Sequence, residues 1–106
     1  MKKFYICTAI AYVNGRPHIG HALEYIQADA LARYHRLIGD DTYFLTGTDE
    51  HGSKIYEVAK LEGLETQKFV DANAQTFIDL KDKLALSYDD FIRTTSARHK
   101  EGAKKI

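Results

Sequence analysis

Among its 106 residues the chain has a single cysteine, Cys7. One thiol allows no intramolecular disulfide and no zinc site built from cysteines alone, and it suits a reducing, cytoplasmic compartment. An excess of one charge is also missing, since fifteen Lys and Arg balance fifteen Asp and Glu. No overall field therefore draws the chain to nucleic acid or to a membrane, and any polyanion must be held by a local site. Long apolar runs are absent too: ICTAIAYV, Ile6 to Val13, falls far short of the ~20 residues that span a bilayer. Lys2 and Lys3 before this patch and Ala9 to Ala11 within it sketch a secretory leader. The apolar part is too short for one and runs straight into patterned sequence. No repeat, low-complexity tract or linker divides the chain, whose length suits one domain with a modest core.

What is present is a strand–helix alternation. KFYICTA, Lys3 to Ala9, is nearly all apolar and reads as a strand buried on both faces, as in a parallel sheet. Asn14-Gly15 marks a turn, and Pro17 suits the first turn of a helix. From His18 to Leu37 the apolar positions Leu23, Ile26, Ala30, Tyr34 and Leu37 predict a helix with one buried stripe, ended by Gly39. TYFLT, Thr42 to Thr46, is a second strand, interrupted by GTDEHG. A helix from Ser53 to Leu61 closes at Gly63, and another starting at Thr66 carries Phe69, Asn73, Phe77, Leu80 and Leu84 on one face. DFIRT, Asp90 to Thr94, is a third strand, and Ser96 caps a final polar helix. The βαβαβ order predicts an α/β fold: the first half of a doubly wound, Rossmann-like parallel sheet, incomplete for want of further strands and covering helices.

Ligands of open α/β sheets lie off the carboxyl ends of the strands. Two polar clusters fall there, Tyr12 to His21 after the first strand and Thr46 to Gly52 after the second. His18 and His21 stand three residues apart and share a face of the first helical turn. The helix start favours an anion such as phosphate, imidazole can donate to it, and Gly20 leaves room for a flat ring against the backbone. Two polar side chains in a solvated first turn are an equally simple reading. His18, His21, Asp49 and His51 also offer nitrogen and oxygen to a metal, although their spacing matches no common metal motif. Asp49, in TGTDEHG, is placed either to hold an ammonium group by a charge-assisted hydrogen bond or to cap the helix that follows. A phosphate-binding helix start beside an ammonium-binding carboxylate implies a nucleotide and an amino acid as paired substrates.

PHIGH, Pro17 to His21, is the HIGH signature of class I aminoacyl-tRNA synthetases. The longer stretch AYVNGRPHIGHALEYIQADALARY, followed by FLTGTDEHG and later by YDDFIRTT, resembles the methionyl-tRNA synthetase family over essentially the whole chain. The resemblance implies a Rossmann-like catalytic domain that activates methionine with ATP and magnesium and transfers it to tRNA. Residue by residue, it implies that His18 and His21 stabilise the ATP phosphates and that Gly20 lies under the adenine, with Asn14 and Glu24 nearby. It further implies that Asp49 holds the methionine ammonium with the Ile10 carbonyl, and that Tyr12 lines the methionine pocket. Residues 1–106 would be the amino-terminal half of the catalytic domain. The KMSKS half, the connective insertion where zinc would bind, and the anticodon-binding domain are outside this sequence. One departure stands out: TAIAYVNG has Ala9 and Ala11 where members often carry a proline.

The chemistry agrees without the resemblance. The carboxylate of an amino acid is ionised at neutral pH and can itself attack the α-phosphate, so no protein nucleophile or general base is needed. Positioning and stabilisation of phosphate charge suffice, and histidine donors without a catalytic dyad suit that task. A nucleotidyltransferase of the same superfold would explain HIGH but not TGTDEHG. An inactive binding or assembly module is the remaining alternative. A fragment of this kind is expected to be inactive alone and to self-associate or need a complementing fragment.

Overall fold

A computed structural model describes all residues from Met1 to Ile106. Strand β3, Asp41–Asp49, is the centre of the sheet. On one side it pairs in parallel with β1, Lys3–Cys7, and then with the two-residue β2, Ala11–Tyr12; on the other it pairs in parallel with β4, Asp90–Arg93. Helix α1, Ile19–Leu37, crosses from β2 to β3. Helices α2 (Ser53–Leu61), α3 (Thr66–Ile78) and the short α4 (Leu80–Lys83) cross from β3 to β4, and α5 (Ala97–Lys104) follows. The predicted open parallel α/β sheet is present, with one strand more than expected.

Two expectations about the strands need correction. β1 is not buried on both faces: Phe4 and Ile6 are half-buried, whereas Lys3, Tyr5 and Cys7 are exposed. The strand lies at an edge, and its outer row stacks Tyr5 on Tyr43 at 6.2 Å, with both tyrosines exposed. β3 does not stop at Thr46 but runs through Gly47, Thr48 and Asp49. Gly47 permits this because an added Cβ would fall 2.1 Å from the Ile92 carbonyl oxygen; only glycine lets β4 approach so closely.

The pairing also slips. Lys3 to Cys7 face Asp41 to Leu45 in step, but Ala11 then faces Thr48. Thr8, Ala9 and Ile10 thus lie opposite only Thr46 and Gly47, a one-residue bulge of a kind rare in parallel pairs. Thr8 and Thr46 share a buried hydroxyl–hydroxyl hydrogen bond of 2.6 Å, and the Ala9 N–H donates to Glu24 Oε1 at 2.6 Å. The slip places Ala11 and Val13 in the core and brings Tyr12 alongside Asp49.

Helix α1 forms where expected, with Gly39 just past its end at φ +94°. Its buried face is not the expected one. Leu23, Ile26, Tyr34 and Leu37 are 49–86% exposed, and Ala30 is exposed as well. Tyr25, Ala28, Asp29 and Ala32 are buried instead, roughly on the opposite side of the helix at 3.6 residues per turn. The alanines let the helix backbone lie close to the sheet beside Phe44. The Asp29 carboxylate is satisfied by the Ser87 N–H and hydroxyl, both at 2.6 Å, and by Arg33. The core is one cluster, from Val13 and Phe44 through Ile55 and Ala59 to Phe69, Val70, Ala74, Phe77 and Leu86. Phe69 and Phe77 hold the expected face of α3, but Asp79 divides that helix from α4, and Leu80 and Leu84 are only half-buried. Ser96 stands at the start of α5, but its hydroxyl donates to the Arg93 carbonyl and does not cap the helix.

Candidate active site

The carboxyl ends of β2, β3 and β4 form an open shelf, and α1 begins beside it. Pro17 stands outside α1, and His18 is its N-cap, with extended backbone. The His18 Nδ1 accepts from the Gly20 N–H at 3.0 Å, and the His21 Nδ1 accepts from the His18 N–H at 3.1 Å. This is a capping box built from two imidazoles in place of a hydroxyl and a carboxylate. Its chemical result is specific. A ring nitrogen that accepts carries no proton, so the proton of each neutral ring sits on Nε2, the atom free to donate to a ligand. The rings lie 4.0 Å apart, and the Phe77 ring meets His21 edge-on at 5.0 Å. Burial, followed by the neighbouring His18, pushes the His21 imidazole below its usual value, favouring the neutral donor. Gly20 fits tightly here, since an added Cβ would fall 2.9 Å from the His18 ring.

The second cluster sits at the end of β3. Asp49 neighbours Tyr12 across the β2–β3 pair, and the Val13 N–H donates to the Asp49 carbonyl at 3.2 Å. The Asp49 side chain is half-buried and makes no hydrogen bond within the chain. The helix-cap reading of Asp49 fails, because α2 starts from Gly52 with no side-chain cap. Tyr12 lies over Gly52: a Cβ there would come within 1.9 Å of the Tyr12 hydroxyl, and the φ of +147° disfavours other residues as well. Ile10 is 40% exposed on the bulge, and Asn14 is half-buried in the turn that follows Tyr12 and Val13. Glu24 binds the bulge through Ala9, so in this structure its carboxylate holds backbone at the shelf.

Helix α3 ties the two clusters together. Asn73 Nδ2 donates to the Val13 carbonyl at 3.1 Å, and Phe77, one turn on, supports His21. No three His, Cys, Asp or Glu side chains come close enough to hold a metal ion, so the four residues considered for a metal do not form such a group. A shallow surface concavity lies elsewhere, between Ala30, Arg33, Tyr34 and Leu37 of α1 and Ser87, with none of this chemistry.

The sequence profile of the family described as tRNA synthetases class I (M) matches residues 4–106. The chain belongs to that family. Among its methionyl-tRNA synthetase relatives, a probable mitochondrial methionine–tRNA ligase of Dictyostelium discoideum is 54% identical over 105 residues. That match covers 99% of this chain and 18% of the relative. A methionine–tRNA ligase of Rhizobium meliloti is 52% identical, covering 97% of this chain and 20% of its own length. The methionyl-tRNA synthetase of Mycobacterium tuberculosis, solved in complex with methionyl-adenylate, superposes with a TM-score of 0.96 at 48% identity. It covers 99% of this chain, which spans 21% of that structure. The chain thus spans about a fifth of the length of its synthetase relatives.

Sequence reasoning missed the buried and half-buried side chains behind these motifs. Glu50, Arg93, Asn73 and Phe77 each fix a motif residue or its backbone. Their signals were weak but present: an arginine directly after the apolar Phe91 and Ile92 of a short strand, and an asparagine within the apolar stripe of α3.

Proposed function

We propose that this segment is the amino-terminal half of the catalytic domain of a methionine–tRNA ligase, holding ATP and methionine while methionyl-adenylate forms. The observation that carries the reading is the pairing on one shelf of two Nε2–H donors with an unpartnered carboxylate, braced by one helix. His18 and His21 donate to the phosphates as charge builds on the α-phosphate, while Gly20, Asn14 and Glu24 lie on the nucleotide side. Asp49 takes the methionine ammonium with the Ile10 carbonyl, and Tyr12, held over Gly52, walls the amino-acid side. The methionine carboxylate then attacks the α-phosphate and pyrophosphate leaves. The family, and the methionyl-adenylate seen in the M. tuberculosis relative, support ATP and methionine as substrates.

Magnesium would arrive with ATP. The segment has no group of donors fit to hold it, and no step is assigned to it. Zinc would belong to the connective insertion, and tRNA contacts mainly to further domains. We place the protein in the cytoplasm; the free, exposed thiol of Cys7 is consistent with that, and no helix is long and apolar enough to cross a membrane.

The test is ATP–pyrophosphate exchange in a full-length synthetase carrying this segment. Exchange that depends on methionine is expected; exchange with a different acceptor only would overturn the reading. The segment alone should show none, and should self-associate or require a complementing fragment, through the β1 edge and the exposed Tyr5–Tyr43 face. Size-exclusion chromatography with light scattering reads that directly, and a stable monomer with activity would contradict it.

A further inference from the structure

Glu50 is an acidic residue whose side chain has no exposure at all, beside a carboxylate proposed to bind substrate. Its carboxylate accepts from Arg93 through both oxygens at 2.8 Å, from Thr95 Oγ1 at 2.7 Å and from the Thr48 hydroxyl. Its own N–H donates to Thr94 Oγ1 at 2.8 Å. Arg93 continues to Asp71 on α3 at 2.6 Å, and the His51 ring meets the Thr94 carbonyl at 3.2 Å. Five donor–acceptor links thus converge on the residue immediately after Asp49, from β3, from β4 and from the turn that follows it.

Every acceptor position of Glu50 is engaged, and it is turned into the protein, so it cannot reach a ligand. Asp49, between buried Thr48 and buried Glu50, is the one side chain of this stretch left without a partner. We propose that Glu50, clamped by Arg93 and Thr94, is a positioning residue for amino-acid binding: it fixes the end of β3 so that Asp49 meets the substrate ammonium already aimed. The sheet pairs Asp49 on the β2 side only, and the ladder ends there, leaving Glu50 and His51 before Gly52 in the left-handed region. Without the clamp, residues Asp49 to His51 would have to be ordered by the substrate, and that cost falls on affinity.

This inference rests on the reading of Asp49 as the ammonium partner, and the experiment separates the two. In the full-length synthetase, methionine and ATP dependence of pyrophosphate exchange are measured for Asp49→Asn, Glu50→Gln, Thr94→Val and Thr94→Ser. Glu50→Gln removes the charge and keeps the shape. Leaving one buried hydrogen-bonding group mismatched corresponds to a rise in the methionine KM of about tenfold. The ATP KM and kcat should stay within about threefold, the split expected when only amino-acid binding is lost. Thr94→Val should shift the methionine KM in the same direction by less, and Thr94→Ser, which keeps the hydroxyl, should restore it.

If Asp49→Asn leaves the methionine KM at the parent value, the ammonium reading itself falls, whatever Glu50→Gln does. If Asp49→Asn raises it while Glu50→Gln and Thr94→Val leave it alone, or lower kcat and both affinities together, the ammonium reading stands and the positioning role is overturned. Should Glu50→Gln fail to fold, the Thr94→Val and Thr94→Ser pair decides.

Discussion

The histidine turn and the TGTDEHG corner present chemistry from the same shelf but are built in opposite ways. His18 and His21 are held by their own backbone, in a box closed within four residues, with His18 and Gly20 exposed. Asp49 is held by what stands behind it: Glu50, Arg93, Thr94 and Thr95, brought together from more than forty residues apart. A local cap can be specified by a tetrapeptide, and it presents its groups wherever a helix begins. The corner exists only once the sheet has formed. The difference teaches that two short motifs in one site can depend very differently on the rest of the fold.

The largest effect should come from breaking the corner from behind. Arg93→Ala leaves the Glu50 carboxylate buried without its cation, which typically costs about 3–5 kcal/mol of stability. Denaturant unfolding of the full-length protein measures it. A loss below about 1 kcal/mol, the range of an exposed pair, would mean that the corner is no more dependent on the fold than the turn.

His18→Ala and His21→Ala should instead spare the fold and slow the chemistry. Losing one preorganised donor lowers the rate of adenylate formation by roughly 10²–10³-fold. Rapid-quench measurement of adenylate formation reads the rate, and equilibrium binding of ATP and methionine should change much less. Equal losses in rate and binding would mark ground-state contacts.

Acid should reach the two regions in different ranges of pH. Burial would push the Glu50 carboxyl up, but hydrogen bonds from Arg93, Thr48 and Thr95 outweigh it and hold it below its ordinary value of 4.5. Asp71, bonded by Arg93 and Gln67, is likewise lowered from 3.8. Carboxyls with lowered folded values contribute stability that is full above their ordinary values and is lost as the pH falls through the folded ones. The contribution of these two carboxyls to the thermal midpoint should therefore be constant above about pH 5 and decline below about pH 4.5, with a shallower decline in Glu50→Gln. The lowered His21 imidazole adds a separate decline below its ordinary 6.5 that the variant shares. An equal decline in that variant would place the acid-sensitive pairing elsewhere.

The smallest effect is expected outside both regions. Leu37 is 86% exposed on α1, and Leu37→Gln should leave the stability of this segment within about 0.5 kcal/mol. A loss of 2 kcal/mol or more, the scale of a core leucine, would restore the originally expected buried stripe (about 2–5 kcal/mol for a core Leu→Ala).

What could be read from the sequence follows the same division. Three of the four strands, the main helices and the parallel order were legible, because apolar runs and helical periods are local signals. So were the residues of the histidine turn and Asp49 as candidates. The two-residue β2 and the break at Asp79 were not legible. The buried side of α1 was not, because Ala28 and Ala32 weigh little in an apolar pattern although small size is what lets the helix approach the sheet. Nor was the exposure of β1, whose composition describes a covered strand while this chain places it at an edge. Glu50 and Arg93 stayed hidden because two charges far apart in sequence look solvated until the fold brings them together.

The slip between β1 and β2 makes side-chain phase a property of chain length at this one place. Three residues, Thr8 to Ile10, are spent opposite two, and everything after them is displaced by half of a strand's two-residue period. Deleting any one of the three would leave two residues opposite two, removing the bulge while keeping Ala11 on Thr48 and Tyr12 on Asp49. Removing two would slip the ladder by one residue and exchange inside for outside, turning Val13 to the shelf and Tyr12 to the core. Chain length here is therefore constrained from one side: one residue can be spared to straighten the strand, and a second cannot.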